Sequence, residues 1–230
     1  MKQSEHIKLL LTILDDNYPK EVICYLNHST PFELLVATIL SAQCTDDRVN
    51  LVTPNLFKQF KDVYAFANAD IADLEEAVKS TGFYKNKAKN ISKCSKQLIS
   101  EFNAEVPSDI DKLVTLAGVG RKTANVIRGN IFNIPSIVVD THVKRISIRW
   151  GITQYTDPVQ IEHELTGKLP KEHWIRYNTQ VIAHGREICT ARNPKCIKCM
   201  FLYACPHGLT TVLNRLPSEV ISVLNSGNMY

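Results

Sequence analysis

Apolar residues recur at helical spacing along most of this 230-residue chain, beginning with Ile7, Leu10, Leu11 and Leu14 on one face of a first helix. No stretch alternates as a pair of strands would, so the expected fold class is all-α. Several helix starts are marked by capping residues. Thr30-Pro31-Phe32-Glu33 supplies an N-cap, a proline at the first helical position and an acid three residues beyond the cap, ahead of the apolar run from Leu34 to Leu40. Asp70 before Ile71, Asn86 before Lys87, Ser108 with Asp111 three residues on, and Asp157 before Pro158 predict further starts. Gly82 and Gly151 predict stops, and Pro54, inside the pattern between Val49 and Phe60, predicts a kink or a break. No internal repeat or low-complexity linker separates parts of the chain.

Composition changes this picture little. A chain 44% hydrophobic and 22% charged is an ordinary globular one rather than a disordered or fibrous one. No apolar run approaches the roughly 18 residues of a membrane span. The short run from Leu9 to Leu14 follows Glu5 and Lys8 and stops at Asp15 and Asp16, so no export signal is read and a cytoplasmic protein is expected, nucleoid-associated if bacterial. A net charge of +4 does not by itself point to nucleic acid. Its distribution is more informative: residues 112–149 hold Lys112, Arg121, Lys122, Arg128, Lys144, Arg145 and Arg149 against the single acid Asp140, a candidate footprint for phosphates. Residues 80–100 carry Lys85, Lys87, Lys89, Lys93 and Lys96 with no acid, where a solvated helix face is an equal reading.

The segment Leu116-Ala117-Gly118-Val119-Gly120-Arg121-Lys122-Thr123-Ala124 falls between helices expected at 108–116 and 121–133. Glycines at 118 and 120 allow a tight hairpin whose backbone N–H groups, at a helix N-terminus, can hold a phosphate without reading sequence. A G-x-G alone would equally mark a plain turn. With its neighbours, however, the segment resembles the helix-hairpin-helix signature of base-excision glycosylases. Val138-Val139-Asp140-Thr141-His142 resembles the acidic element that comes after it in that superfamily, although Asp140 is also an ordinary N-cap. Ala117 departs from the proline usual in the family.

Four of the seven cysteines form Cys189-x6-Cys196-x2-Cys199-x5-Cys205, a clustering that means metal before disulfide in a cytosolic chain. Zinc sites usually pair two short C-x2-4-C units and only Cys196 and Cys199 are so spaced, which leaves zinc open but favours iron and sulfur. Cys24, Cys44 and Cys94 fit no metal spacing. The four-cysteine pattern resembles that of the endonuclease III family, a resemblance that runs from the first helix to Cys205.

The resemblance implies a [4Fe-4S] cluster on those four residues and a bifunctional enzyme. Such an enzyme would remove oxidised or ring-saturated pyrimidines from double-stranded DNA and cleave the abasic site by β-elimination, acting as a monomer. Lys122 would be the nucleophile and Asp140 its catalytic partner; a lysine must lose its proton before it attacks, so a largely dry position is expected for it. Gly118, Val119, Gly120 and Arg121 would contact DNA through the hairpin. Gln43 and Phe83 match the family's plug and wedge segments, and Arg192, Lys195 and Lys198 would offer cations from the cysteine loop. The implied architecture is two helical domains flanking a DNA cleft: residues 24–134 as a middle domain with the hairpin, residues 1–23 and 135–212 as the iron-sulfur domain, and 213–230 as a tail. The alternatives are a mismatch glycosylase without lyase activity, which would need an acid near Ala37 and Thr38, and a non-catalytic DNA-binding module.

Overall fold

The computed structural model describes residues 2–21 and 24–215, and among these every regular element is helical. In chain order the helices are α1 (Gln3–Asn17), α2 (Pro31–Leu40), α3 (Asp46–Gln59), α4 (Val63–Asn68), α5 (Ile71–Val78), α6 (Tyr84–Glu101), α7 (Ile110–Leu113), α8 (Arg121–Phe132), α9 (Thr141–Arg149), α10 (Pro158–Lys168), α11 (Trp174–Glu187) and α12 (Pro206–Leu213). The chain divides into two compact units, Ile23–Ser136 and, from both ends of the sequence, Met1–Val22 with Ile137–Tyr230. Most of the tail expected at 213–230 lies outside the described residues.

In the unit Ile23–Ser136, α2 is the central element: residues 34–40 are buried without a gap, as an apolar run with no polar face requires. Thr30 caps it by accepting from the Glu33 N–H at 3.1 Å, while the Glu33 carboxylate reaches back past the cap to the Ser29 N–H at 2.6 Å. Phe66 on α4 packs edge-on against Phe32 and Phe57, at ring separations of 5.4 and 6.4 Å. Asp70 caps α5 as its position predicts.

Two expected helix starts move here, and of the kink or break expected at Pro54 the break does not occur. Pro54 does not break α3, which continues through it to Gln59; only one intrahelical bond is lost at a proline, and Val49, Thr53 and Leu56 keep the buried face seated on both sides of it. The start expected at Asn86 lies earlier, at Tyr84, after a left-handed Phe83 that has no side-chain cap at all. The helix expected over 108–116 is a single turn, Ile110–Leu113, capped by Asp109 rather than Ser108 and succeeded by the i to i−3 turns of Thr115 and Leu116.

In the other unit, α1 buries Ile7, Leu10, Leu11 and Leu14, the face read from the sequence. The Asp15 carboxylate accepts from Arg176 at 3.2 Å and Gln180 at 3.1 Å, tying α1 to α11. Trp150, at the end of α9, packs on Phe201 with ring centroids 4.6 Å apart, and the fully buried His184 of α11 stacks against Trp150. Gly151 ends α9 with φ 72°, the left-handed stop expected of it. Asp157 caps α10 through the N–H groups of Val159 and Gln160.

Candidate functional site

The hairpin between α7 and α8 is built by Leu116, whose carbonyl accepts from the Val119 N–H at 3.1 Å, and by Gln97 of α6. The Gln97 side chain accepts from the Ala117 N–H at 2.8 Å and donates to the Thr115 carbonyl at 3.1 Å. Gly118 is required by the fold twice over: its φ is 79°, and a Cβ there would come within 2.9 Å of the Asn90 Cβ. Gly120 is different. Its backbone is extended and a Cβ would meet nothing within 4 Å, so nothing among the described residues demands a glycine. The backbone N–H groups of Gly118 and Gly120 have no acceptor among the described residues. Val119 differs from its expected role. Its side chain is buried and its N–H committed to Leu116, so it anchors the hairpin and does not present a side chain to solvent.

Lys122 is the second residue of α8 and is exposed, not in the dry position expected of it. The reason is local: Lys122 stands in the first turn at the open N-terminal end of α8, beside the exposed Gly120 and Arg121, and burial begins only at Ala124. Asp140 belongs to the other unit. It caps α9, its Oδ1 accepting from the Val143 N–H at 2.7 Å, and Oδ2 has no hydrogen-bond donor among the described residues. The segment leading into it is pinned by the Asn178 side chain, which accepts from the Val138 N–H at 3.0 Å. Thus the residue is both the N-cap its surroundings suggest and a half-buried carboxylate with one free oxygen.

Gln43 and Phe83 share two unusual properties. Both are exposed, Phe83 to 64%, and both have positive φ, 52° and 49°, a conformation that costs a non-glycine residue about 1 kcal/mol or more. They occupy turns that end α2 and precede α6. Ala37 and Thr38, where a mismatch glycosylase would need its acid, are buried, and the Thr38 hydroxyl donates to the Leu34 carbonyl.

The four cysteines line one space together with Trp150, His184 and Leu202. Arg149 donates to the Cys189 Sγ at 3.2 Å, and the Gly208 N–H to the Cys205 Sγ at 3.2 Å. Burial first, and then the neighbouring cysteines, push the Cys199 thiol up to about 11. Among the described residues no three His, Cys, Asp or Glu side chains converge on one ion-sized point. The sulfurs ring a space instead, and their chemistry, four soft donors in an apolar shell with N–H groups aimed at sulfur, fits a polynuclear group better than a single ion.

The basic stretch 112–149 divides. Arg145 donates to the carbonyls of Gly185 and Cys189, and Arg149 to those of Thr190 and Ala191, so these two arginines of α9 hold the cysteine loop and are not free for phosphates. Arg192, Lys195 and Lys198, by contrast, are all exposed. Sequence reasoning missed Lys87, which it grouped with the solvated lysines of α6. The register of Ile91, Cys94 and Leu98 already placed it on the buried face, and it is 4% exposed.

Residues 36–171 match the family described as HhH-GPD superfamily base excision DNA repair protein. Endonuclease III of Synechocystis sp. is 48% identical over 86% of this chain and 90% of its own. The structure of a non-covalent endonuclease III–DNA complex is 40% identical with a TM-score of 0.87, covering 92% of this chain and 99% of that one. A trapped endonuclease III–DNA covalent intermediate has the same identity and TM-score, covering 92% of this chain and 100% of that one. With the hairpin, the four cysteines and whole-length similarity in agreement, the chain belongs to the endonuclease III family of the HhH-GPD superfamily of base excision DNA repair proteins.

Proposed function

We propose that this base-excision glycosylase and abasic-site lyase acts through Lys122, with Asp140 assisting, on oxidised or ring-saturated pyrimidines in duplex DNA. The observation that carries the assignment is the place of Lys122: exposed on the first turn of α8, directly after a hairpin whose N–H groups at Gly118 and Gly120 are unpaired among the described residues. A phosphate can approach Gly120 as nearly as its missing side chain allows. Relatives of the same family have been seen with DNA non-covalently and as a trapped covalent intermediate.

The Lys122 amine, once deprotonated, attacks the sugar C1′; the C1′–N bond breaks and the base leaves with its electrons and takes a proton. The sugar ring opens to an imine between Nζ and C1′. Removal of a C2′ proton lets the C3′–O bond break, the 3′ phosphate leaves, and water hydrolyses the imine to restore the lysine. Asp140, with Oδ2 free, offsets the positive charge that develops on the sugar and helps take protons. DNA enters as a cover over the exposed Lys122, and the dry surroundings the amine needs come with the substrate.

Cys189, Cys196, Cys199 and Cys205 would hold a [4Fe-4S] cluster, supported by the donor set and the N–H groups aimed at Sγ. When bound, the cluster cross-links the loop and so fixes where Arg192, Lys195 and Lys198 meet phosphates. Gln43 and Phe83 would fill and wedge the stack from which the nucleotide leaves. The buried Ala37 and Thr38, without a carboxylate, support a lyase over the mismatch glycosylase.

Borohydride reduction of the protein with lesion-bearing duplex tests the proposal. A covalent complex is expected from wild type and none from Lys122→Gln, whose cleavage of abasic DNA should fall by about a thousandfold or more. Undiminished cleavage by Lys122→Gln would remove the residue from the mechanism, and binding without cleavage by wild type would leave only a DNA-binding module.

A further inference from the structure

Among the described residues, Lys87 is a buried cation with no acid for a partner. Its ammonium donates instead to two carbonyls, Leu40 at 2.8 Å and Thr81 at 2.7 Å. Each is the last residue of a helical segment, Leu40 of α2 and Thr81 of the 3-10 turn Lys79–Thr81, where carbonyls have no intrahelical donor and the helix end is negative. Burial pulls the lysine below its usual value, while the nearby Cys44 opposes that shift. One side chain thereby satisfies two orphan acceptors 41 residues apart in sequence.

Each of these carbonyls leads directly into one of the two exposed, left-handed residues: Gln43 lies three residues after Leu40, and Phe83 two after Thr81. Phe83 opens α6 without a side-chain cap. The ammonium thus sits at the root of both turns. We propose that Lys87 is a positioning residue that registers the Gln43 and Phe83 turns against each other, so that plug and wedge enter the DNA stack as one rigid unit. This rests on reading Gln43 and Phe83 as plug and wedge, and it adds a single shared support that neither turn reveals alone. An uncharged side chain at 87 leaves two buried carbonyls unpaired and lets the turns move independently, which penalises extrusion of a stacked nucleotide more than reaction at a sugar already exposed.

The test compares Lys87→Met with Gln43→Ala, Phe83→Ala and their combinations. Duplex DNA carries a ring-saturated pyrimidine opposite 2-aminopurine, whose fluorescence reports unstacking, and a single-stranded abasic oligonucleotide needs no extrusion. Lys87→Met is expected to slow both the fluorescence rise and single-turnover excision in duplex by about tenfold or more, as sub-ångström misplacement does, and to leave single-stranded abasic cleavage within about threefold. Adding Lys87→Met to the Gln43→Ala/Phe83→Ala pair should bring no further loss. Equal losses on both substrates, or a full multiplicative loss in the triple variant, would mean a merely structural lysine. If Gln43→Ala and Phe83→Ala themselves leave unstacking and duplex excision unchanged, it is the plug-and-wedge reading that fails instead. Should Lys87→Met not fold, Lys87→Arg carries the test: it keeps the charge but displaces the donors, and the same selective loss is expected.

Discussion

The hairpin and the cysteine loop are both short on regular structure, yet they are held by opposite means. The hairpin is fixed from beneath by Val119 in the core, the Gln97 side chain and a glycine that α6 tolerates at no other size. It needs nothing but the chain itself. The cysteine loop consists of 3-10 turns and is gripped from the side, by Arg145 and Arg149 on its carbonyls and by N–H groups on two sulfurs. Its interior is a space lined by four thiols, of which burial makes Cys199 and Cys205 reluctant to ionise. A group that binds thiolate would complete such a loop, whereas the hairpin is held by the chain's own contacts. In the hairpin, geometry is thus written into packing, whereas on the proposed cluster assignment the outlying loop would depend on an added group.

Variants can break or sharpen this contrast. The largest effect expected short of losing the nucleophile is at Asp140, which belongs to neither region: it caps α9, the helix whose arginines hold the loop. Asp140→Asn keeps a capping side chain, so stability should change by less than about 1 kcal/mol, while single-turnover base excision slows on the order of a hundredfold. Because an abasic site needs no base expulsion, its cleavage should suffer less. Equal losses in melting and in excision would reduce Asp140 to a cap.

Cys199→Ser comes next and should act on one region alone. Removing one ligand is expected to lower stability by roughly 2 kcal/mol or more, with loss of iron from protein purified anaerobically and of its yellow-brown colour. Zinc in place of iron in the wild type would overturn the cluster assignment. The two hairpin glycines give a sharper contrast. Gly118→Ala should cost about 1–3 kcal/mol through positive φ and the contact with Asn90. Gly120→Ala should cost less than about 1 kcal/mol of stability but weaken binding to any duplex, since only a phosphate would meet its methyl. If thermal melts and salt-matched binding reverse that order, the hairpin is not the phosphate site. The smallest effects belong to Arg192, Lys195 and Lys198. Each neutralisation should reduce the magnitude of the slope of log affinity against log salt by about one per lost contact. No change in any of the three would take the loop away from DNA.

Features that depend on a few adjacent residues were legible in the sequence. Thr30, Asp70 and Asp157 cap where they should, Gly151 stops α9, and the hairpin turns at Gly118. Tertiary decisions could not be read there. Phe83 starts α6 in a left-handed conformation without a capping side chain, held by Lys87 from the next turn of the helix, so local signals pointed to Asn86. Pro54 stays within α3 because the buried face outweighs one lost bond. Arg145 and Arg149 count as positive charge in any sequence tally, yet their guanidinium groups are taken by carbonyls about 40 residues away. Lys87 looked like its solvated neighbours because the carbonyls that bury it lie on another helix and another turn.

The central claim is that the amine of one residue forms the bond to DNA. Digestion of the borohydride-reduced wild-type complex, with mass spectrometry of the modified peptide, measures this directly. The sugar remnant is predicted on Lys122 alone, in the peptide that comes after the hairpin glycines. A remnant on the N-terminal amine or on any other lysine would contradict the account.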